Sequence, residues 1–415
     1  MQRPAYHFAP EKNWMNDPNG TVFDGTFYHL FYQYDPFGSE WGNIHWGYAR
    51  SRDLVHWERC GVRLAPRREE GEEHCFSGCA FPYGGGYKLA YTSVGFGEGA
   101  AAERAVQVFC NADGAFARIE RRAVLGADAN PFPVREWRDP FLFSYGGKVC
   151  LLLAGRRGGR GGIFYYTAAD GTLERWTFGG ELFGRDGALL ECPNAVLFGE
   201  RMLLLYSLGG GGVRYAAGDF DGKALAVREE GDADCGDAFY ATNLSGSACG
   251  KPVLFGWLRE TASVPAPGGW YSGCLALPRT VELRGYTPVF RLVPTLSQLE
   301  GGALPAGAPA GRAHISLQSG QSLTLCGGEG EFLRFAAGGG TLRAERRCAF
   351  AGAAEAPLSM PCAGGAEIYT DGTAVEAYAG GRAMSLRWYG QPLRLPAEGG
   401  VFARCMNAAR FTDAE

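Results

Sequence analysis

The sequence predicts an all-β protein: a five-bladed β-propeller followed by a C-terminal β-sandwich. Three observations lead there. Aromatic residues make up 13% of the 415 residues and glycines number 64, a mixture that favours short strands joined by tight turns, and no long apolar stretch keeps a helical period. A strand-rich unit recurs along the first three hundred residues. Beyond it, about a hundred residues alternate apolar and polar with a period of two.

The units can be taken in order. The first holds apolar runs at residues 26–33 and 45–49, then residues 51–57, read as a strand leading through a polar turn to Trp57. The second and fourth follow the same plan around residues 78–81 and 195–198. The third has runs at 140–143, 149–153 and 162–167, then a turn from Asp170 to Trp176. Asp17, Ser77, Asp139, Glu191 and Phe239, near the unit starts, are separated by 60, 62, 52 and 48 residues. That period, with four strands per unit, reads as a propeller of about five blades. First strands of blades line the central channel, so Asp17, Asp139 and Glu191 are expected to meet on the axis. The propeller is assigned to residues 1–295. Residues 296–312, rich in Gly, Ala and Pro, read as a linker. Residues 313–415 read as the sandwich, with strands at 314–317, 322–325, 367–370, 375–378 and 385–389.

Composition narrows the function classes. Net charge is −4, which argues against a nucleic-acid or membrane-surface partner. No apolar run is long enough to span a bilayer, and the first residues lack a basic region followed by an apolar one, so a cytoplasmic location is expected. The 13 cysteines are odd in number and irregularly spaced, which reads as buried, reduced thiols. Cys75 and Cys79 have no second pair at matching spacing, so no metal is expected, and no cofactor.

Three carboxylates stand out from this background. Asp17 precedes Pro18, Asp139 precedes Pro140, and Glu191 stands two residues before Pro193. Proline fixes its own φ and pushes its predecessor into the extended region, so such acids are held at strand turns and do not sweep through solvent. Two close carboxylates of different proton affinity are the usual machinery for cleaving a glycosidic bond.

At these residues the chain resembles glycoside hydrolase family 32. The resemblance runs through Trp14-Met15-Asn16-Asp17-Pro18-Asn19-Gly20, Phe31-Tyr32-Gln33, Trp41-Gly42, Phe76-Ser77-Gly78, Arg138-Asp139-Pro140, Glu191-Cys192-Pro193, Phe239-Tyr240-Ala241, Gly256-Trp257 and Leu277-Pro278-Arg279. It continues into residues 368–376 and covers nearly the whole chain. The family's propeller and sandwich agree with the spacing. The chain departs from the family at Tyr34-Asp35-Pro36 and at Thr242-Asn243, positions on the pocket rim and the leaving-group side.

The resemblance implies roles. Asp17 would be the nucleophile, Glu191 the general acid and then base, and Asp139 with Arg138 would grip fructose hydroxyls. Asn16, Gln33, Trp41, Phe76 and Ser77 would form the sugar pocket; Tyr240 and Trp257 would join it, though core packing reads nearly as well for these two. Amides and hydroxyls suit sugar hydroxyls, and aromatic faces suit the C–H surface. His45, Trp46, Asp53, His56 and Trp57 read as structural. Cys192 adjoins the acid but has no base to activate it.

The expected activity is a retaining β-fructofuranosidase acting on sucrose or sucrose 6-phosphate, with a small carbohydrate as its partner. The rivals are an exo-acting hydrolase of short fructans and a non-catalytic sugar-binding propeller. Arg156, Arg157 and Arg160 on a Gly-rich turn offer a phosphate clamp; the plainer reading is a solvated basic turn.

Overall fold

The structure, a computed structural model, describes residues 2–96, 103–246, 250–260, 271–348, 356–397 and 401–414. The chain is nearly all β, and the helices among the described residues are three short 3-10 turns. Five antiparallel four-strand meanders come first. They are β1 (Asn13–Phe23), β2 (Tyr28–Asp35), β3 (His45–Ser51) and β4 (Trp57–Leu64); β5 (His74–Tyr83), β6 (Gly86–Phe96), β7 (Glu103–Ala112) and β8 (Ile119–Leu125); and β9 (Arg135–Tyr145), β10 (Lys148–Arg157), β11 (Arg160–Ala168) and β12 (Trp176–Asp186). The fourth is β13 (Leu190–Phe198), β14 (Arg201–Leu208), β15 (Val213–Phe220) and β16 (Leu225–Asp232). The fifth begins with β17 (Phe239–Ser245) and β18 (Val253–Leu258). Short β19 (Tyr271–Ser272) pairs with β1, and β20 (Cys274–Leu275) with β18. Then β21 (Arg279–Arg284) and β22 (Thr287–Leu292) complete the meander.

Local chemistry explains these hairpins. The β5–β6 and β9–β10 turns are Gly84-Gly85 and Gly146-Gly147, all with positive φ. A two-residue turn that matches strand twist needs φ above zero at both positions, which glycine adopts without steric cost. Second strands are continuous apolar runs: Leu151, Leu152 and Leu153 in β10, and Leu203, Leu204 and Leu205 in β14, are fully buried. Both faces of these strands pack against neighbouring sheets, which removes the need for alternation. Fourth strands face water on one side, so β8 has no fully buried position.

The first strands adjoin one another in a ring. β1 lies beside β5, β5 beside β9, β9 beside β13, β13 beside β17, and β17 beside β1. Distant motifs therefore share one axis.

Two further sheets follow, built from β23 (Glu300–Ala303), β24 (Arg312–Leu317), β25 (Ser322–Cys326), β26 (Phe332–Gly338), β27 (Thr341–Arg347), β28 (Leu358–Pro361), β29 (Ala366–Asp371), β30 (Ala374–Ala379), β31 (Arg382–Arg387) and β32 (Phe402–Met406). The six-stranded sheet runs β23-β32-β24-β29-β30-β31 and the four-stranded one β25-β26-β27-β28. β24, β26 and β27 alternate in burial. Their inward residues, with Ile315, Leu323, Phe335 and Leu342 among them, form one cluster across both sheets. β30 is buried throughout, because its other face meets the fifth meander.

That contact is ionic. Arg279 is 0% exposed; it donates to Asp234 Oδ2 and Glu376 Oε2 at 2.7 Å and to Ser385 Oγ at 2.6 Å. His7 bonds Asp371 through Nδ1 at 2.9 Å and Glu376 through Nε2 at 3.0 Å. Burying these charges costs several kcal/mol each unless partners surround them, so the network fixes the relative placement of N-terminus, fifth meander and six-stranded sheet more than it adds raw stability.

Three stretches differ from the sequence reading. Residues 296–312, read as a linker, supply β23, paired with β32. The 3-10 helix Pro294–Leu299 before it buries Leu296 and Leu299. Backbone pairing needs no particular side chain, so Gly-rich composition hid the strand. The last strand, β33 (Phe411–Asp413), returns to pair in parallel with β4. Residues 52–56 form a turn and not a strand: Ser51 Oγ accepts the Leu54 N–H, and Asp53 Oδ1 accepts those of Val55 and His56. The twelve cysteines among the described residues are free, and nine are buried.

Candidate active site

Each first strand breaks its ladder at the same depth. The register slips between Met15 and Pro18 in β1, Cys75 and Gly78 in β5, Glu191 and Asn194 in β13, and Tyr240 and Asn243 in β17. In β9 the break falls at Asp139-Pro140. A bulge re-aims the residues it holds, and proline, which cannot donate to a ladder, is tolerated there. Asp139 and Cys192, which precede Pro140 and Pro193, have φ of 62° and 48°, left-handed and not the extended backbone expected before proline, and Ala241 has φ of 48°. Left-handed backbone at such residues costs free energy and persists because the surroundings hold it.

Side-chain amides brace these breaks, within a first strand and between first strands. Asn19 Oδ1 accepts the Gly78 N–H at 3.1 Å, and Asn243 Nδ2 donates to the Gly78 carbonyl at 3.1 Å. Asn194 Nδ2 donates to the carbonyls of Cys192, at 2.9 Å, and Thr242, at 2.7 Å. All three asparagines are buried. Sequence reasoning missed these braces. The signal available was an Asn two to four residues after the motif residue in the first, fourth and fifth units.

One cavity of about 230 Å³ opens over the bulges. It is lined by Asn16, Asp17, Gln33, Trp41, Phe76, Ser77, Arg138, Asp139, Glu191, Cys192, Tyr240 and Trp257. All eleven residues singled out in the sequence are thus brought together, with Cys192 added. His45, Trp46, Asp53, His56 and Trp57 are not among its lining: Trp46 is fully buried with its Nε1 on the Phe76 carbonyl, and Asp53 with His56 holds the turn before β4.

Asp17 is the most heavily braced. Its Oδ2 accepts the Ser77 hydroxyl at 2.5 Å and its Oδ1 accepts Asn16 Nδ2 at 2.9 Å. Asn16 Nδ2 also reaches Gln33 Oε1 at 2.7 Å, Gln33 Nε2 donates to Ser77 Oγ at 2.7 Å, and Trp14 Nε1 donates to Asn16 Oδ1 at 2.7 Å. Burial raises the Asp17 carboxyl above its ordinary value, donors from Ser77 and Asn16 oppose the rise, and Glu191 adds to it.

Asp139 is 5% exposed. Its Oδ2 accepts the Cys192 N–H at 2.8 Å, and its own N–H donates to Thr92 Oγ1 at 2.9 Å. Burial pushes its carboxyl up to about 7, with Arg138 opposing and Glu191 and Asp17 adding. Glu191 is half-buried. Tyr240 donates its hydroxyl to Oε2 at 2.6 Å, and Arg138 Nη1 stands 3.5 Å from Oε1. The Arg138 guanidinium also lies over the Phe76 ring. Tyr240 is thus a hydrogen-bond donor to the acid, a role the sequence did not assign.

Aromatic walls complete the cavity. Trp41, 48% exposed, stands against His74 and Phe76, and Trp257 meets Trp14 edge-on. Burial, then the three carboxylates, lifts the Cys192 thiol well above its usual range, so it is no nucleophile. The arginine turn does not form a phosphate clamp. Arg160 pairs with Glu181 and Asp186, Arg157 lies over Phe132, Arg156 faces Glu136, and none lines the cavity. Neighbouring strands supply carboxylates that the sequence order does not reveal.

The sequence profile described as "Glycosyl hydrolases family 32 N-terminal domain" matches residues 7–291. The chain belongs to glycosyl hydrolase family 32. Among its family-32 relatives, the sucrose-6-phosphate hydrolase of Zymomonas mobilis is 32% identical over 310 residues, 68% of this chain and 60% of that one. The levanase of Bacillus subtilis is 32% identical over 332 residues, 71% of this chain and 46% of that one. The chain thus spans 60% or less of the length of these two relatives. In fold it is similar to the family-32 beta-fructofuranosidase of Bombyx mori, with a TM-score of 0.82 and 21% identity over 100% of this chain and 95% of that one.

Proposed function

We propose that this family-32 chain is a retaining β-fructofuranosidase, built as a five-bladed propeller over residues 1–295 and a β-sandwich over 313–415, with 296–312 between them. One observation carries the reading: Asp17, Asp139 and Glu191, from three different meanders, open into one cavity with amide, hydroxyl and aromatic walls. Asp17 attacks the anomeric carbon of a bound fructosyl unit while Glu191 gives a proton to the departing oxygen. The C–O bond to the leaving sugar breaks and a fructosyl ester forms on Asp17. Glu191 then takes a proton from water, whose oxygen displaces Asp17 and frees fructose. The Ser77 and Asn16 donors support Asp17 as an anion and a leaving group. Asp139 and Arg138 hold ring hydroxyls and stabilise the oxocarbenium-like transition state.

Among the described residues, Arg138 is the single guanidinium lining the cavity, and it already faces Glu191 and Phe76. This favours sucrose over sucrose 6-phosphate as substrate. The half-exposed Trp41 at the cavity supports a second reading, an exo-acting hydrolase of short fructans, by offering a face to a further sugar. Early-time NMR of sucrose cleavage tests the mechanism: β-fructofuranose is expected first, and initial release of the α anomer excludes double displacement. Turnover of sucrose, sucrose 6-phosphate, inulin-type and levan-type oligosaccharides tests the substrate.

A further inference from the structure

We propose that the groove between the first meander and the C-terminal segment is a second binding site, for a small phosphate-bearing ligand. The groove has a volume of about 490 Å³ and is lined by the β3–β4 turn, Phe27, Gln298 and the chain around Arg410. It shares no lining residue with the carboxylate cavity.

Its charges do not balance. Asp53 is taken by His56 and by two backbone N–H groups of its own turn. Both oxygens of Glu58 are taken by Arg50, through Nε at 2.7 Å and Nη2 at 3.0 Å. Asp413, close by in sequence, pairs with Arg59 outside the groove lining. Arg52 and Arg410 therefore form no ion pair among the described residues, Arg52 reaching Glu58 only through its field, and both line the same concavity. Like charges gathered in a concave site repel one another, and a dianion there relieves the repulsion.

Arg52 is also held in place. Its guanidinium carbon lies 4.1 Å from the Phe27 ring centroid, and that of Arg50 4.8 Å from the same centroid. Stacking uses the face of a guanidinium and leaves its N–H edge free to bond an oxyanion. Arg410 is tied by its carbonyl to the Trp57 N–H at 2.9 Å. A tetrahedral oxyanion bridging Arg52 and Arg410 would thus join the β3–β4 turn to the last strand. Inorganic phosphate and a phosphate monoester share this chemistry.

Calorimetric titration of the full chain with inorganic phosphate, at constant ionic strength, tests the site. Saturable binding is expected. Arg52→Ala with Arg410→Ala should weaken it by about tenfold or more, with sucrose turnover unchanged. Asp17→Asn, altered in the other cavity, should bind phosphate as the parent does. Should the double variant fold poorly, the exposed single change Arg410→Glu decides, and it too should weaken binding. Absence of saturable binding, or binding that survives these arginine changes, overturns the proposal. A parallel titration with a hexose phosphate names the source: tighter binding assigns the site to an ester, equal or weaker binding to the free ion.

Discussion

At the scale of single residues, the cavity sets stability against chemistry. Asp139 is buried and its carboxyl is pushed up to about 7 by burial, against Arg138. A carboxyl raised in the folded state is neutral in both states below the unfolded value of about 3.9, and costs stability as pH rises from there toward 7. Asp139→Asn is therefore expected to raise the melting temperature at pH 8, to show no such gain below about pH 4, and to lose most activity. Thermal melts across pH check the first part; a variant less stable than the parent at pH 8 contradicts it. Asp17→Asn and Glu191→Gln should each cut kcat by about 10²–10⁴-fold or more while remaining folded. Near-parental turnover by either would remove that residue from its role. Tyr240→Phe deletes the donor at 2.6 Å from Glu191 Oε2 and should lower kcat while leaving the fold intact. Kinetics with thermal melts check both, and parental kcat would make Tyr240 a packing residue.

At the scale of elements, the bulge is the device that builds the site. A regular strand would send successive side chains to opposite faces, and Asp17 would not share a face with its braces. Gly78, just past the bulge in β5, shows how tightly the breaks are held. A Cβ there would fall 2.0 Å from the Ala90 carbonyl oxygen and 2.7 Å from Tyr91 Cα. Both contacts are with backbone, so the strand must shift, and Ser77 with it. Gly78→Ala is expected to lower activity far more than a surface Gly→Ala and to destabilise the fold by about 1–3 kcal/mol. Kinetics with chemical denaturation would measure both, and a variant with parental kcat would show that the Ser77–Asp17 bond tolerates the shift.

At the scale of the whole molecule, polar locks hold the parts in place. Burial disfavours a charged His7, but its bonds to Asp371 and Glu376 outweigh that and lift it to about 9. Burial would raise Glu376, and Arg279 with His7 and Tyr378 brings it down to about 2. His7 thus contributes stability that is complete below its unfolded value of about 6.5 and is lost as pH rises through 9. The parent should lose melting temperature between pH 7 and 10, and His7→Gln should be less stable at pH 7 and flatter across that window. Parallel curves for the two proteins would place the titration elsewhere. Arg279→Ala leaves Asp234 and Glu376 buried without their cation, and a loss of about 3–5 kcal/mol is expected in equilibrium unfolding.

What the sequence determined by itself was local and additive. Composition and the period-two pattern made the chain all-β, the repeat spacing put the carboxylates at the starts of units, Pro-marked motifs picked out those three carboxylates, and the family resemblance named the other eight residues that line the same cavity. These survive translation into structure because strand, turn and bulge preferences act over a few residues. What only the tertiary structure decided depends on contacts between segments far apart in the chain. The Asn19, Asn194 and Asn243 braces, the Tyr240 bond to Glu191, the strand within 296–312 and the return of β33 to β4 all join such segments. The same holds for the arginine turn, whose partners Glu181 and Asp186 arrive from the next strand. A side chain's partners follow from where the backbone carries it, and for these residues that path is set by the packing of sheets against one another.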